Sequence, residues 1–143
     1  MSPADSATES AAATAPRFFV DRSLGRIQFP TLLRAAGVDL VTLAEHYGIP
    51  ADETVEDVAW LADTAQLGLV VLAKDARIRR RPAERTAISE HGARCFFYAR
   101  ADLHAADGAA RFLHNRAAIE RACAQPAPFA YVIHPTRIVR MAL

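Results

Sequence analysis

Residues 56–88, EDVAWLADTAQLGLVVLAKDARIRRRPAERTAI, decide the fold. Val58, Leu61, Ala62 and Ala65 recur at i, i+3, i+4 and i+7, the stripe of an amphipathic helix that Thr54 opens and Gly68 closes. LVVLA (69–73) follows without a polar interruption, as expected of a strand buried on both faces of a parallel sheet. After an arginine-rich loop, Pro82 starts another helix that runs to Gly92. A helix, a fully apolar strand and a second helix in this order predict an α/β fold, a mostly parallel central sheet with helices on both faces.

The flanking chain extends the same alternation. RFFV (17–20) reads as a first strand ending at Asp21, and Pro30 starts a helix through LLRAA that Gly37 closes. VDLVTL (38–43) reads as a second strand, and AEHYGIPADE (44–53) as a loop, broken by Gly48 and Pro50. Beyond the central stretch come a strand at 94–99 (RCFFYA) and one long helix from about 105 to 124. The strands PFAYVIH and RIVRM then close the chain as a hairpin at one edge. Residues 1–16, with no large apolar side chain except Met1, read as a disordered leader to a domain spanning 17–143.

Composition excludes several classes. At 143 residues, 52% hydrophobic and 23% charged, the chain suits one soluble domain with a real core. No apolar run approaches the roughly 20 residues of a membrane span, and the leader lacks a secretion signal's basic start and apolar centre. Cys95 and Cys123 fall in no metal-binding or redox spacing, and the 5 histidines form no HxxxH or HExxH pattern. A reducing, cytoplasmic setting fits both cysteines. Net charge is only +1, yet Arg77, Arg79, Arg80, Arg81 and Arg85 crowd one loop. That cluster is either a solvated basic loop or an edge that contacts nucleic-acid phosphates.

Three acids carry the chemistry. Asp21 follows the first strand in FFVDRSLG (18–25), Asp75 follows the apolar strand in LVVLAKD, and Asp57 lies in the first turn of the helix between. Right-handed crossovers set the carboxyl ends of parallel strands on one rim, and a helix entering such a strand begins at that same rim. Three carboxylates gathered there repel one another unless a divalent cation compensates, which points to Mg²⁺ or Mn²⁺. Each acid also has a purely structural reading: Asp21 and Asp75 as helix or turn caps, and Thr54-x-x-Asp57 as a capping box with a shortened acid. An aspartyl phosphatase needs a second Asp two residues after Asp21, where Ser23 stands, and a receiver domain needs an acidic pair beside a late lysine. Neither pattern is present.

FFVDRSLG, RAAGVDLVTLAEHYG (34–48) and the stretch from Glu56 to Ile88, with an acid three residues before Trp60-Leu61 and a strand ending in Lys74-Asp75, together resemble the PIN-domain superfamily. More closely, they are similar to its PIN-like branch of VapC-type toxins from bacterial toxin–antitoxin pairs, over residues 17–141. The resemblance implies a Mg²⁺- or Mn²⁺-dependent endoribonuclease held silent by a cognate antitoxin, with a homodimer as a plausible assembly. It assigns Asp21, Asp57 and Asp75 to the metal and to catalysis. The family's second acid is often a glutamate, so Glu56 competes with Asp57, which keeps the register to Trp60 and Leu61. Many relatives place a fourth acid after the third; here arginines stand in that interval, and Glu84 is the nearest acid.

In such an enzyme the ions activate water and stabilise charge on the phosphate under attack. Arg77, Arg79, Arg80 and Arg81 then bind RNA phosphates. Ser23 either bonds to a water of the ion's shell or caps the following helix, and Lys74 is structural. The competing reading is a PIN-like module without catalysis that binds a protein or RNA partner through the same basic edge.

Overall fold

The computed structural model describes residues 15–74, 80–100 and 102–143. Residues 1–14, most of the expected leader, lie outside the described residues, as do Asp75, Arg77 and Arg79.

The strands are β1 (Phe18–Val20), β2 (Leu40–Thr42), β3 (Val70–Ala73), β4 (Arg94–Tyr98), β5 (Phe129–Ile133) and β6 (Ile138–Arg140). The helices are α1 (Gln28–Ala35), α2 (Leu43–Tyr47), α3 (Asp57–Leu67), α4 (Pro82–His91), α5 (Ala105–His114) and α6 (Arg116–Cys123). Short 3-10 turns at Arg22–Leu24 and Ala51–Glu53 complete the described elements. The strands join in the order β2-β1-β3-β4-β5-β6. The first five run parallel, and β6 pairs antiparallel with β5, as the expected edge hairpin. The mostly parallel α/β architecture read from the sequence is therefore the observed one.

Alternation along the strands divides the core between two faces. Phe18, Val20, Val70, Leu72, Phe96 and Tyr98 point to one face, under Phe29 and Leu33 of α1, Phe112 of α5 and Ile119 of α6. Phe19, Val71, Ala73, Cys95 and Phe97 point to the other, under Trp60 and Leu61 of α3 and Ala87 and Ile88 of α4. Cys95 is a buried hydrophobe in this packing, and both cysteines are free thiols. Among the described residues no helix is long and apolar enough to cross a membrane.

Four local expectations are corrected. Residues 43–47 form a helix rather than a loop, because Thr42 and Glu45 make a reciprocal capping box: Thr42 Oγ1 accepts from Glu45 N at 3.1 Å, and Glu45 Oε1 accepts from Thr42 N at 2.8 Å. That cap also cuts the second strand short at Thr42. The third helix starts at Asp57, with Glu56 at its N-cap; Thr54 instead closes the 3-10 turn and donates to the Ala51 carbonyl. Its buried face is Trp60, Leu61 and Thr64, whereas Val58 is exposed. Finally, the single helix expected at 105–124 is broken at Asn115. The Asn115 Nδ2 donates to the carbonyls of Arg111 and His134 at 2.9 Å and of Pro135 at 3.4 Å, tying the helix break to the β5–β6 turn.

Gly68 does close α3, at φ 71° in the left-handed region that a residue with a Cβ enters only with strain. This turn feeds the chain directly into β3.

Candidate functional site

The strand order contains a switch point. From β1 the chain crosses to β2 on one side and then returns to lay β3 on the other. In parallel α/β sheets the carboxyl ends of strands flanking such a switch open a ligand crevice. Asp21 leaves β1 there, still joined to the sheet through its N–H to the Leu72 carbonyl of β3 at 3.0 Å.

A cavity of about 490 Å³ opens at this rim, lined by Asp21, Arg22, Thr54, Val55, Glu56, Asp57, Val58, Arg81 and Glu84. A hollow of about 560 Å³ lies at the opposite edge, where the strands begin, among Arg17, Val70 and Arg94. The buried, unpartnered side-chain oxygens of the described residues are Asp21 Oδ1, Asp52 Oδ1 and Glu84 Oε2, and none of them lines that larger hollow. Two of the three belong to residues that line the rim cavity, Asp21 and Glu84. The chemistry therefore belongs to the smaller space.

Each acid is held differently. Asp21 is 3% exposed. Its Oδ2 accepts from Ser23 Oγ at 2.8 Å and from Ser23 N at 3.3 Å, while Ser23 Oγ in turn accepts from Lys74 N at 3.1 Å. The 3-10 turn is thus capped by Asp21, and one oxygen does all of the capping. Oδ1 remains without a partner. Burial pushes the Asp21 carboxyl above its ordinary range; hydrogen bonds from Ser23 and Arg22 pull the other way, and the nearby Asp57 charge adds to the rise. That last influence also places the two carboxylates within electrostatic reach of each other.

Asp57 sits in the first turn of α3 and accepts at Oδ1 from the Trp60 indole N–H at 3.0 Å. Trp60 is fully buried, its ring 5.6 Å from that of Phe19 in β1. The spacing of an acid three residues before Trp-Leu thus acquires a physical meaning: one helical turn brings a buried donor under the carboxylate. Glu56, its competitor, also lines the cavity but is exposed and makes no cap bond.

Glu84 enters from α4. It is 7% exposed, with Oε1 3.8 Å from Arg81 Nη1 and Oε2 unpartnered. The structure brings it to the same cavity as Asp21 and Asp57. Arg81 shares that cavity, but Arg80 faces a separate groove with Pro82, Arg85 and Ser89. Lys74, the residue before Asp75, donates from Nζ to the Leu103 carbonyl at 2.8 Å, a structural tie as expected. Arg22 carried no expectation from the sequence, yet it lines the cavity and donates to two carbonyls of the segment entering α3.

Buried carboxylate oxygens without donors are the chemistry that hard divalent cations satisfy, so the residues present fit such an ion. Among the described residues, no three His, Cys, Asp or Glu side chains are close enough together to hold one by themselves. Asp75, the third acid of the expected set, lies outside them.

Residues 16–100 match the family model described as "PIN like domain". The chain belongs to this family of PIN-like domains. It is also similar to a Mycobacterium tuberculosis (strain H37Rv) protein named "Putative ribonuclease VapC45", with 49% identity over 123 residues that cover 86% of this chain and 89% of that protein. No solved structure gives a significant match.

Proposed function

We propose that the protein is a divalent-metal-dependent endoribonuclease, the toxin of a toxin–antitoxin pair, that hydrolyses RNA phosphodiester bonds at the rim cavity. The observation carrying this reading is that Asp21 and Glu84, each with a buried, donor-less carboxylate oxygen, line one cavity with Asp57 at the sheet's switch point. The 49% identity to a protein named "Putative ribonuclease VapC45" supports RNA as the substrate class. A cognate antitoxin as partner and a cytoplasmic setting belong to the same proposal.

Asp21, Asp57 and Asp75 are the proposed catalytic and metal-holding acids, with Glu84 as a fourth. Held there, Mg²⁺ or Mn²⁺ would supply an activated water and charge stabilisation on the phosphate and the leaving oxygen. The chain's own part is orientation. Ser23 holds one Asp21 oxygen in place. The Trp60 N–H does the equivalent for Asp57. Arg81, half-exposed beside Glu84, is positioned to meet a substrate phosphate. Arg77, Arg79 and Arg80 extend this basic edge in the proposal.

Purified protein, freed of any partner, should cleave RNA with Mn²⁺ and stop when EDTA is added. RNA left intact under saturating Mn²⁺, together with tight association with a protein partner, would make the domain a binding module instead.

Glu84 gives a sharper check on the donor set. Glu84→Gln keeps the side chain's size and polarity but removes one charge, and ligand charge tunes affinity at oxygen-rich sites. We expect the Mn²⁺ dissociation constant to rise by about tenfold, read by isothermal titration. An unchanged constant would return Glu84 to a helix-terminal role.

A further inference from the structure

The segment entering α3 has no strand partner to hold it. It runs from the 3-10 turn Ala51–Glu53 through Val55 to Asp57. Two arginines just after β1 bind it instead. The Arg22 guanidinium reaches the carbonyl of Glu53 from Nη1 at 2.9 Å and that of Val55 from Nη2 at 2.5 Å. Arg26 Nη2 lies 2.8 Å from Asp52 Oδ2 and 3.6 Å from Glu53 Oε1. Asp52 is 2% exposed, so this second tie is anchored in the interior.

We propose that Arg22 is a positioning residue: its planar fork sets the distance between Asp57 on α3 and Asp21 at the end of β1. The inference rests on the rim cavity being a metal site, and it adds what holds the two halves of that site in register. Arg22 adjoins Asp21 in sequence, and its second acceptor is two residues before Asp57. A guanidinium presents parallel N–H groups in a rigid plane, so it can grip two carbonyls at once, whereas the lysine ammonium is a point donor on a flexible stem. Asp57 already has its carboxylate orientation from Trp60. The contribution left to Arg22 is the placement of the helix start itself.

The test measures Mn²⁺ affinity by calorimetry and amide exchange across residues 53–57 in the full chain. It compares the wild type with Arg22→Ala, Arg22→Lys, Arg34→Ala and Asp21→Asn. Arg34 is the control, because it makes a similar surface tie, to the Leu40 carbonyl and Glu45, outside the cavity lining. Arg22→Ala should weaken Mn²⁺ binding about tenfold or more, in the range seen when groups supporting metal ligands are removed. Exchange at 53–57 should accelerate, with a melting temperature no lower than that of Arg34→Ala. Arg22→Lys should keep the fold and still lose part of the affinity, and it carries the test alone if the alanine variant does not fold. Wild-type Mn²⁺ affinity and unchanged exchange in the Arg22 variants would overturn the proposal. Undiminished Mn²⁺ binding in Asp21→Asn would instead overturn the metal reading, while the exchange data would still report on the clamp.

Discussion

Replacing Asp21 by Asn should make the metal-free protein more stable and, by the same change, unable to respond to Mn²⁺. Burial raises the Asp21 pKa in the folded chain above its ordinary value of 3.8, so the folded state holds this proton more tightly than the unfolded state does. The resulting stabilisation is fully present below the unfolded pKa and is lost as pH rises through the folded one. At pH 7 the wild type therefore keeps a buried carboxylate that is short of partners, and Asn removes that charge. Its side-chain oxygen can still accept from Ser23. The gain should be on the order of 1 kcal/mol, or roughly 3–6 °C in melting temperature. It should shrink toward zero as the pH is lowered to the point where the wild-type carboxyl is protonated. In Mn²⁺ the order reverses: ligand at a hundred times its dissociation constant stabilises the wild type by about 2.7 kcal/mol and leaves the variant unmoved. Melting curves in EDTA and in Mn²⁺, at pH 7 and pH 4, read all of this. A variant less stable than the wild type in EDTA at pH 7 would contradict the account of Asp21.

Trp60 should show the largest loss of stability. It is fully buried between α3 and the sheet, packed on Phe19. Trp60→Ala leaves a cavity there and should cost about 3–5 kcal/mol, enough to unfold a marginal domain. Trp60→Phe separates packing from donation. The smaller ring still fills much of the space but has no N–H for Asp57 Oδ1. Its stability loss should be about 1–2 kcal/mol, while Mn²⁺ affinity falls about tenfold because the proposed ligand has lost its anchor. Mn²⁺ titration well below the melting transition separates the two effects. Wild-type affinity in Trp60→Phe would show that the indole only packs.

The features legible in the sequence were those written locally. The unbroken LVVLA run between Gly68 and Lys74 could be little other than a buried strand, and it became β3. The spacing from Asp57 to Trp60 was visible, although only the structure shows that the indole N–H bonds to the acid. Thr42 and Glu45 carried a capping-box signal that Gly48 and Pro50 obscured. Other features depend on distant chain. Asn115 looks like a helix-interior residue until its amide meets carbonyls at 134 and 135. Glu84 enters the rim cavity because Ala87 and Ile88 seat α4 on the sheet. Arg22 was silent because its acceptors are backbone carbonyls, which no side-chain pattern announces. Strand order was equally silent: nothing in residues 18–20 says that their two neighbours will be 40–42 and 70–72.

That order has a consequence for the life of the chain on the ribosome. Phe18–Val20 is made first but lies between two later strands, so it waits in the nascent polypeptide until Val70–Leu72 has emerged. Glu84 arrives later still. A growing chain of this protein therefore leaves the exit tunnel without the cavity that the folded domain carries.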